Sequence, residues 1–217
     1  MALMKSKDVP EDAVSLDEME ATEYVWNLVS DWESFSDTWA LKYAPLVLGG
    51  INATCGVLIN RYYRNKLKLG PYGYFASIIP ITAMPATLTA LFHRQFISTD
   101  LLLMKSQACP LCYEFRSAAI QCGLGTAYPM ILAPLSALMF ANRYSTFRVP
   151  DLKEGPKVMY NFLRKITRPF NHQLTYMVII QAMASSIFTY YEMTNNLTIR
   201  SKIMEIEAKL EKKASER

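Results

Sequence analysis

Four stretches of this 217-residue chain run for 18 to 24 positions without a charged residue. They are residues 43–60 (YAPLVLGGINATCGVLIN), 72–92 (YGYFASIIPITAMPATLTALF), 117–140 (SAAIQCGLGTAYPMILAPLSALMF) and 174–191 (LTYMVIIQAMASSIFTYY). At about 1.5 Å rise per residue, each reaches roughly the ~30 Å depth of a hydrocarbon core. Helices of a soluble bundle show a polar face every turn, and these do not. Charged residues make up only 19% of the chain, below the roughly 25% of soluble domains. The expected fold is all-α: a polytopic membrane protein of four transmembrane helices, with amphipathic helices at its N-terminal and C-terminal ends. Residues 1–42 form an acidic N-terminal region, 43–195 the transmembrane domain and 196–217 a charged C-terminal helix.

Pro80, Pro85, Pro129 and Pro134 fall inside the spans. Each frees a backbone carbonyl that a neighbouring helix must satisfy, so the spans are expected to pack together. Gly49 with Ala53, Gly123 with Ala127 and Ala182 with Ser186 are small-residue pairs suited to close helix approach. Asn52 and Gln181 are expected to hydrogen-bond between helices.

The connections set an orientation. Arg61, Arg64, Lys66 and Lys68 separate the first two spans with no acid. Arg143, Arg148, Lys153, Lys157, Arg164, Lys165 and Arg168, against Asp151 and Glu154, separate the last two. The positive-inside rule puts both loops on the cytoplasmic or matrix side, with the termini and the cysteine-bearing loop opposite. The first 42 residues hold ten acids and three lysines and no apolar run, so neither a signal nor a transit peptide is expected.

Outside the membrane, Ser15 to Glu18 has a capping-box pattern. Val25, Leu28, Val29, Trp32, Phe35 and Trp39 come next at helical spacing toward the first span. The opposite face is acidic, and all three tryptophans, Trp26, Trp32 and Trp39, lie here. This helix either packs on its own bundle or docks a partner. The segment 151–171 is basic and amphipathic, with Tyr160, Leu163 and Ile166 set to meet an interface. Arg61, Arg64, Lys66, Arg164, Lys165 and Arg168 are the expected contacts with anionic headgroups or partners. Ile199, Ile203, Ile206 and Leu210 make a C-terminal stripe.

The sequence ACPLCYEF holds two of the four cysteines, Cys109 and Cys112. A thioredoxin-like motif requires a βαβ context, which is missing. Zinc requires further ligands, but Cys55 and Cys122 lie within spans and His93 and His172 flank different ones. A membrane thiol-disulfide oxidoreductase would use this pair, with Pro110 opening a helix that lowers a thiol pKa. Such enzymes relay through a second pair outside the membrane, and none is present. A short disulfide and two free thiols remain equally open. Within the four spans no acid, Lys or Arg occurs, which disfavours an ion pathway. Phosphate loops and metalloprotease or serine-hydrolase signatures are absent from the sequence. No catalytic residue, metal, cofactor or nucleic-acid partner is expected.

GGINATCGVLINRYYRNKL (49–67), FISTDLL before CPLC, GLGTAYPMILAPLSALMFANRY (123–144) and ITRPFNHQLTYMVIIQAMASSIFTYYE (166–192) succeed one another in an order that resembles the transmembrane protein 126 family. The resemblance covers roughly residues 43–195. It implies a multi-pass protein of the mitochondrial inner membrane that scaffolds assembly of the respiratory complex I membrane arm within an intermediate assembly complex. The implied partners are nascent membrane subunits, the acyl-CoA dehydrogenase-like factor, the ECSIT adaptor and complex I intermediate-associated protein 30. In that membrane the positive-inside rule puts the basic loops in the matrix and the termini and cysteine loop in the intermembrane space. The alternatives are the thiol-disulfide oxidoreductase and a structural protein that binds anionic lipid such as cardiolipin.

Overall fold

The first helix starts at Asp17, whose backbone N–H donates to the Glu20 carboxylate at 3.2 Å, closing a capping box. The computed structural model describes residues 16–103, 109–150 and 156–215. The cap expected at Ser15 therefore lies outside the described residues, as does Lys153. Helix α1 (Glu18–Asp31) does not run on into the first span as the periodicity suggested. The chain leaves helical geometry at Trp32 (φ −64°, ψ 124°), and Lys42 donates from Nζ to Ser30 O at 3.0 Å. A cation at the final turn satisfies a carbonyl that the helix cannot.

Helix α2 (Phe35–Lys66) comes next, then the helical runs α3 (Tyr74–Leu102) and α4 (Pro110–Tyr144). The short α5 (Pro156–Thr167) leads through a 3-10 turn into α6 (Asn171–Ser215). No strand occurs among the described residues. Helices α2, α3 and α4 are long and apolar enough to cross a membrane. The sequence led us to expect four such helices, and among the described residues three qualify. The fourth expected span lies within α6, where Gln181, Ser185, Thr189 and Glu192 are buried. Polar residues every turn on that inward face lower the apolarity of the whole segment.

Helix α6 nonetheless lies antiparallel beside α2. Asp37 of α2 pairs with Lys202, Trp39 packs on Phe188 and Tyr191, and Tyr62 stacks on Phe170 just before α6. Helix α1, the start of α4 and the far part of α6 thus gather at one end. There Val25, Val29, Leu41, Tyr113 and Ile199 share a core. At the other end Ile59, Tyr63, Leu67, Ile81 and Phe170 form a second. Met159, Phe162, Leu163 and Ile166 of α5 pack against it. So Leu163 and Ile166 meet the bundle, and Tyr160 stays exposed.

Prolines and glycines set how closely α2 and α3 approach. Pro85 has no N–H to offer Ile81 O four residues earlier. That carbonyl faces Gly56, where a Cβ would lie 2.6 Å from it. Gly49 sits equally close to Ala86 O, at 2.7 Å for a Cβ. Three π-helical segments interrupt the α-helical runs: Ile79–Ala83 and Arg94–Ser98 in α3, and Gly123–Ala127 in α4. Such insertions rotate the residues after them and recur at sites with special side-chain demands.

Candidate functional site

The interior of the bundle is polar at two levels. At the middle level, Asn52 of α2 donates from Nδ2 to Thr89 Oγ1 of α3 (2.7 Å) and to Gln121 O of α4 (3.3 Å). Gln121 donates from Nε2 to Asn52 Oδ1 (2.8 Å) and Leu48 O (3.1 Å). Thr126 donates to Gln181 Oε1 of α6 at 2.7 Å. Asn52 and Gln181 therefore act as interhelical hydrogen-bonding residues, as expected. All four long helices are tied at one depth, in a medium that offers these groups no water.

Gly125 makes that layer fit. A Cβ there would lie 2.0 Å from Asn52 Oδ1 and 2.5 Å from Gln181 Nε2. Gly123, named in the small-residue pair, has open space around its Cβ position. Gly125→Ala is expected to destabilise by about 1–3 kcal/mol through overpacking. Gly123→Ala should be neutral or stabilising by up to ~1 kcal/mol, from helix propensity alone. Unfolding midpoints in detergent distinguish the two, and equal midpoints would refute the assignment.

The second level holds ionisable groups. His93 and Glu192 lie just beyond the ends of the expected spans 72–92 and 174–191, and the structure draws both inside, at 1% and 0% exposure. The expected spans hold no acid, Lys or Arg, but the buried interior extends past their ends and takes in this pair. His93 Nε2 is 3.2 Å from each Glu192 oxygen. Ser117 Oγ lies 3.3 Å from His93 Nδ1, and Ser98 donates to Glu192 Oε1 at 3.1 Å. With Glu192 ionised, Nε2–H donates to it and Ser117 donates to Nδ1. With both groups neutral, the carboxyl O–H donates to Nε2 and Nδ1–H to Ser117. In the first arrangement His93, Ser98 and Ser117 each donate to an acceptor within the cluster. The adjacent layer of Asn52, Gln121 and Gln181 contains no acid, His, Lys or Arg among the described residues, and only the buried Cys55 thiol beside Gln181 joins it. The pair is thus an isolated lock between helices, where a proton path requires a chain of such groups.

The cysteine turn is built differently. Cys109 precedes α4, Pro110 takes the first helical position, and Cys112 N–H donates to Cys109 O at 2.8 Å. Both are exposed free thiols, so the disulfide left open by the sequence is not formed in this structure. Cys122, further along the same helix, lies ten residues or about 15 Å from Cys112. A direct thiol relay between them is out of reach. No group of three or more His, Cys, Asp or Glu side chains that could hold a metal occurs among the described residues.

The tryptophans face their own bundle and do not form the free docking surface considered from sequence. Trp26 donates from Nε1 to Thr99 Oγ1 (3.2 Å) beneath the Arg94 guanidinium. Trp32 donates to Asp37 (3.2 Å), and Trp39 packs against Tyr191 with ring centroids 5.3 Å apart.

At the opposite end Arg61, Lys66, Arg164, Lys165 and Arg168 are exposed, as headgroup or partner contacts require. Arg64 is not: it is 3% exposed. Its guanidinium donates to Gly70 O (2.7 Å), Tyr72 O (2.8 Å), Gly73 O (3.3 Å) and Ser77 Oγ (3.0 Å). It holds the turn from α2 to α3, where Gly70 and Gly73 adopt φ of +53° and +62°. A Cβ on Gly73 would also meet the Phe140 ring at 2.9 Å. The lipid or partner role expected of Arg64 is corrected to a structural one. Its spacing among surface cations gave no hint of this, because the carbonyls it binds lie beyond the helix end.

The sequence profile described as transmembrane protein 126 matches residues 25–208. That range is wider than the segments that carry the resemblance and takes in Trp26, Trp32 and Trp39. A Drosophila melanogaster protein, "Transmembrane protein 126", is 38% identical over 213 residues, covering 97% of this chain and 96% of that protein. No solved structure matches the chain significantly.

Proposed function

The chain belongs to the transmembrane protein 126 family, and on that footing we propose that it is a non-catalytic scaffold for assembling the membrane arm of respiratory complex I. The observation that carries this reading is where the polar chemistry is spent. Asn52, Gln121, Gln181, His93 and Glu192 pair helix to helix, which suits a rigid bundle. Outside it, apolar side chains such as Ile131, Leu135, Met139, Ile179, Met183 and Ile187 stand exposed on the membrane-depth helices. They suit lipid and nascent membrane subunits equally. The proposed setting is the mitochondrial inner membrane, with basic loops in the matrix and both termini in the intermembrane space. On the matrix side the basic end would meet soluble assembly factors. The partners proposed are the acyl-CoA dehydrogenase-like factor, the ECSIT adaptor and complex I intermediate-associated protein 30.

Deleting the gene in cells that make complex I is the direct test. Membrane-arm intermediates should accumulate on native gels, and mature complex I should fall. Re-expression of a variant with Cys109→Ser and Cys112→Ser should restore assembly fully. An unchanged gel after deletion would refute the scaffold, and rescue that fails only with the serine variant would favour thiol chemistry instead.

A further inference from the structure

Between the exit of α2 and the first turns of α6 lies an open groove of about 450 Å³. Leu58, Arg61 and Tyr62 line it from α2, and Phe170, Met177 and Ile180 from the other side. Its polarity is graded along the bundle. Arg61, Asn65 and Gln173 stand toward the basic end. Leu58 lies about 5 Å deeper than Arg61, and Ile180 about 10 Å deeper than Gln173, counted along their helices. Tyr62, stacked on buried Phe170 with ring centroids 4.1 Å apart, spends its hydroxyl on Ile166 O at 2.8 Å. The deep part therefore offers an occupant mostly apolar surface.

Its rim is cationic. Arg61 is exposed and has no acidic partner among the described residues. Lys66 Nζ lies 5.6 Å from the centroid of the Tyr62 ring that lines the groove. No acid occurs in residues 61–70 or 156–173, and Arg61, Lys66 and Lys68 are the exposed cations at the exit of α2. A peptide laid into the deep part would leave backbone polar groups unpaired. A lipid acyl chain has none there, and the groove lies between α2 and α6 along residues of the expected spans 43–60 and 174–191.

We propose that this groove binds one phospholipid with an anionic headgroup, its phosphate at Arg61 and Lys66 and one acyl chain along Leu58, Met177 and Ile180. Arg61 supplies a charged donor to the phosphate, and Lys66 adds a second cation from the next turn. The site is independent of what the bundle assembles, since it requires only the membrane.

Native mass spectrometry of the full-length protein in detergent tests it, with equimolar phosphatidylglycerol and phosphatidylcholine added. One phosphatidylglycerol should be retained in preference. Arg61→Gln should reduce that adduct about fivefold, the contribution expected of one basic residue at an anionic headgroup. Met177→Trp should fill the apolar half and reduce adducts of both lipids. Lys157→Gln, at the same end but outside the groove, should leave them at the parent level. The two groove variants act on opposite halves of the ligand, so misfolding of one leaves the other decisive. Equal retention of the two lipids by the parent protein would overturn the proposal. So would parent-level adducts in both groove variants, or displacement of phosphatidylglycerol by a glutamate-rich peptide.

Discussion

Glu192→Ala should lower the unfolding free energy by about 3–5 kcal/mol, the cost of removing one member of a buried, hydrogen-bonded pair. The loss strips His93 Nε2 and Ser98 Oγ of their acceptor at a depth where no water replaces it. Glu192→Gln keeps a carbonyl oxygen in place and should cost less than half as much. Replacing both partners, with His93→Phe and Glu192→Leu, should recover most of the loss, because the burial cost of the polar pair disappears with the pair. The two serines left behind can turn to their own helical carbonyls. Chemical unfolding in detergent micelles, followed by far-UV circular dichroism, reads all three. If Glu192→Ala unfolds within about 0.5 kcal/mol of the parent, the range of ordinary surface substitutions, the lock between α3 and α6 is not a stabilising contact.

Arg64→Ala comes next, at about 3 kcal/mol, because hydrogen bonds from a charged donor are worth about 1.5–3 kcal/mol and here several are lost together. Three carbonyls and one hydroxyl of the α2–α3 turn would lose a donor at once. Arg64→Lys should recover little. A lysine carries its donors on one nitrogen, and the acceptors are divided between two guanidinium nitrogens. The same unfolding measurement checks both variants. A lysine variant as stable as the parent would show that charge alone suffices there. Arg61→Ala, three residues earlier and exposed, serves as the surface control and should stay within about 0.5 kcal/mol.

Arg61 and Arg64 show where a linear reading stops. Both sit in one basic exit, RYYRNK, and nothing in their spacing separates a solvent-facing cation from a buried one. The separation comes from the left-handed turn after the helix, which bends the carbonyls of residues 70–73 back over α2. The tryptophans divide similarly. Their spacing announced an amphipathic helix, which formed, but whether its apolar face met the bundle or a partner depended on Thr99, Asp37 and Tyr191. The fourth expected span is the reverse case. Its lack of charge read as membrane, while Gln181, Ser185, Thr189 and Glu192 made its inward face polar. Of the candidate sites, the exposed basic residues of α5 and the polar pair Asn52 and Gln181 were legible from composition and place. His93 with Glu192 was not.

Helical fold, membrane character and the order of the segments are set by the sequence itself. Length without charge is a local property, and a hydrocarbon core responds to it whatever the helices do next. That the N-terminal and C-terminal helices share one end was also legible, from the placement of the basic loops opposite them. Tertiary packing alone decided which polar residues bind one another, because the partners lie far apart along the chain. His93 meets Glu192 across 99 residues, and Asn52 meets Gln121 across 69. A hydrogen bond has a range of about 3 Å, so pairs of this kind exist only once the rotation and depth of every helix are fixed. The close approach of α2 and α3 at Gly49 and Gly56, where a Cβ would lie 2.7 and 2.6 Å from α3 carbonyls, and the π-helical turns that re-aim the side chains after them, do that fixing.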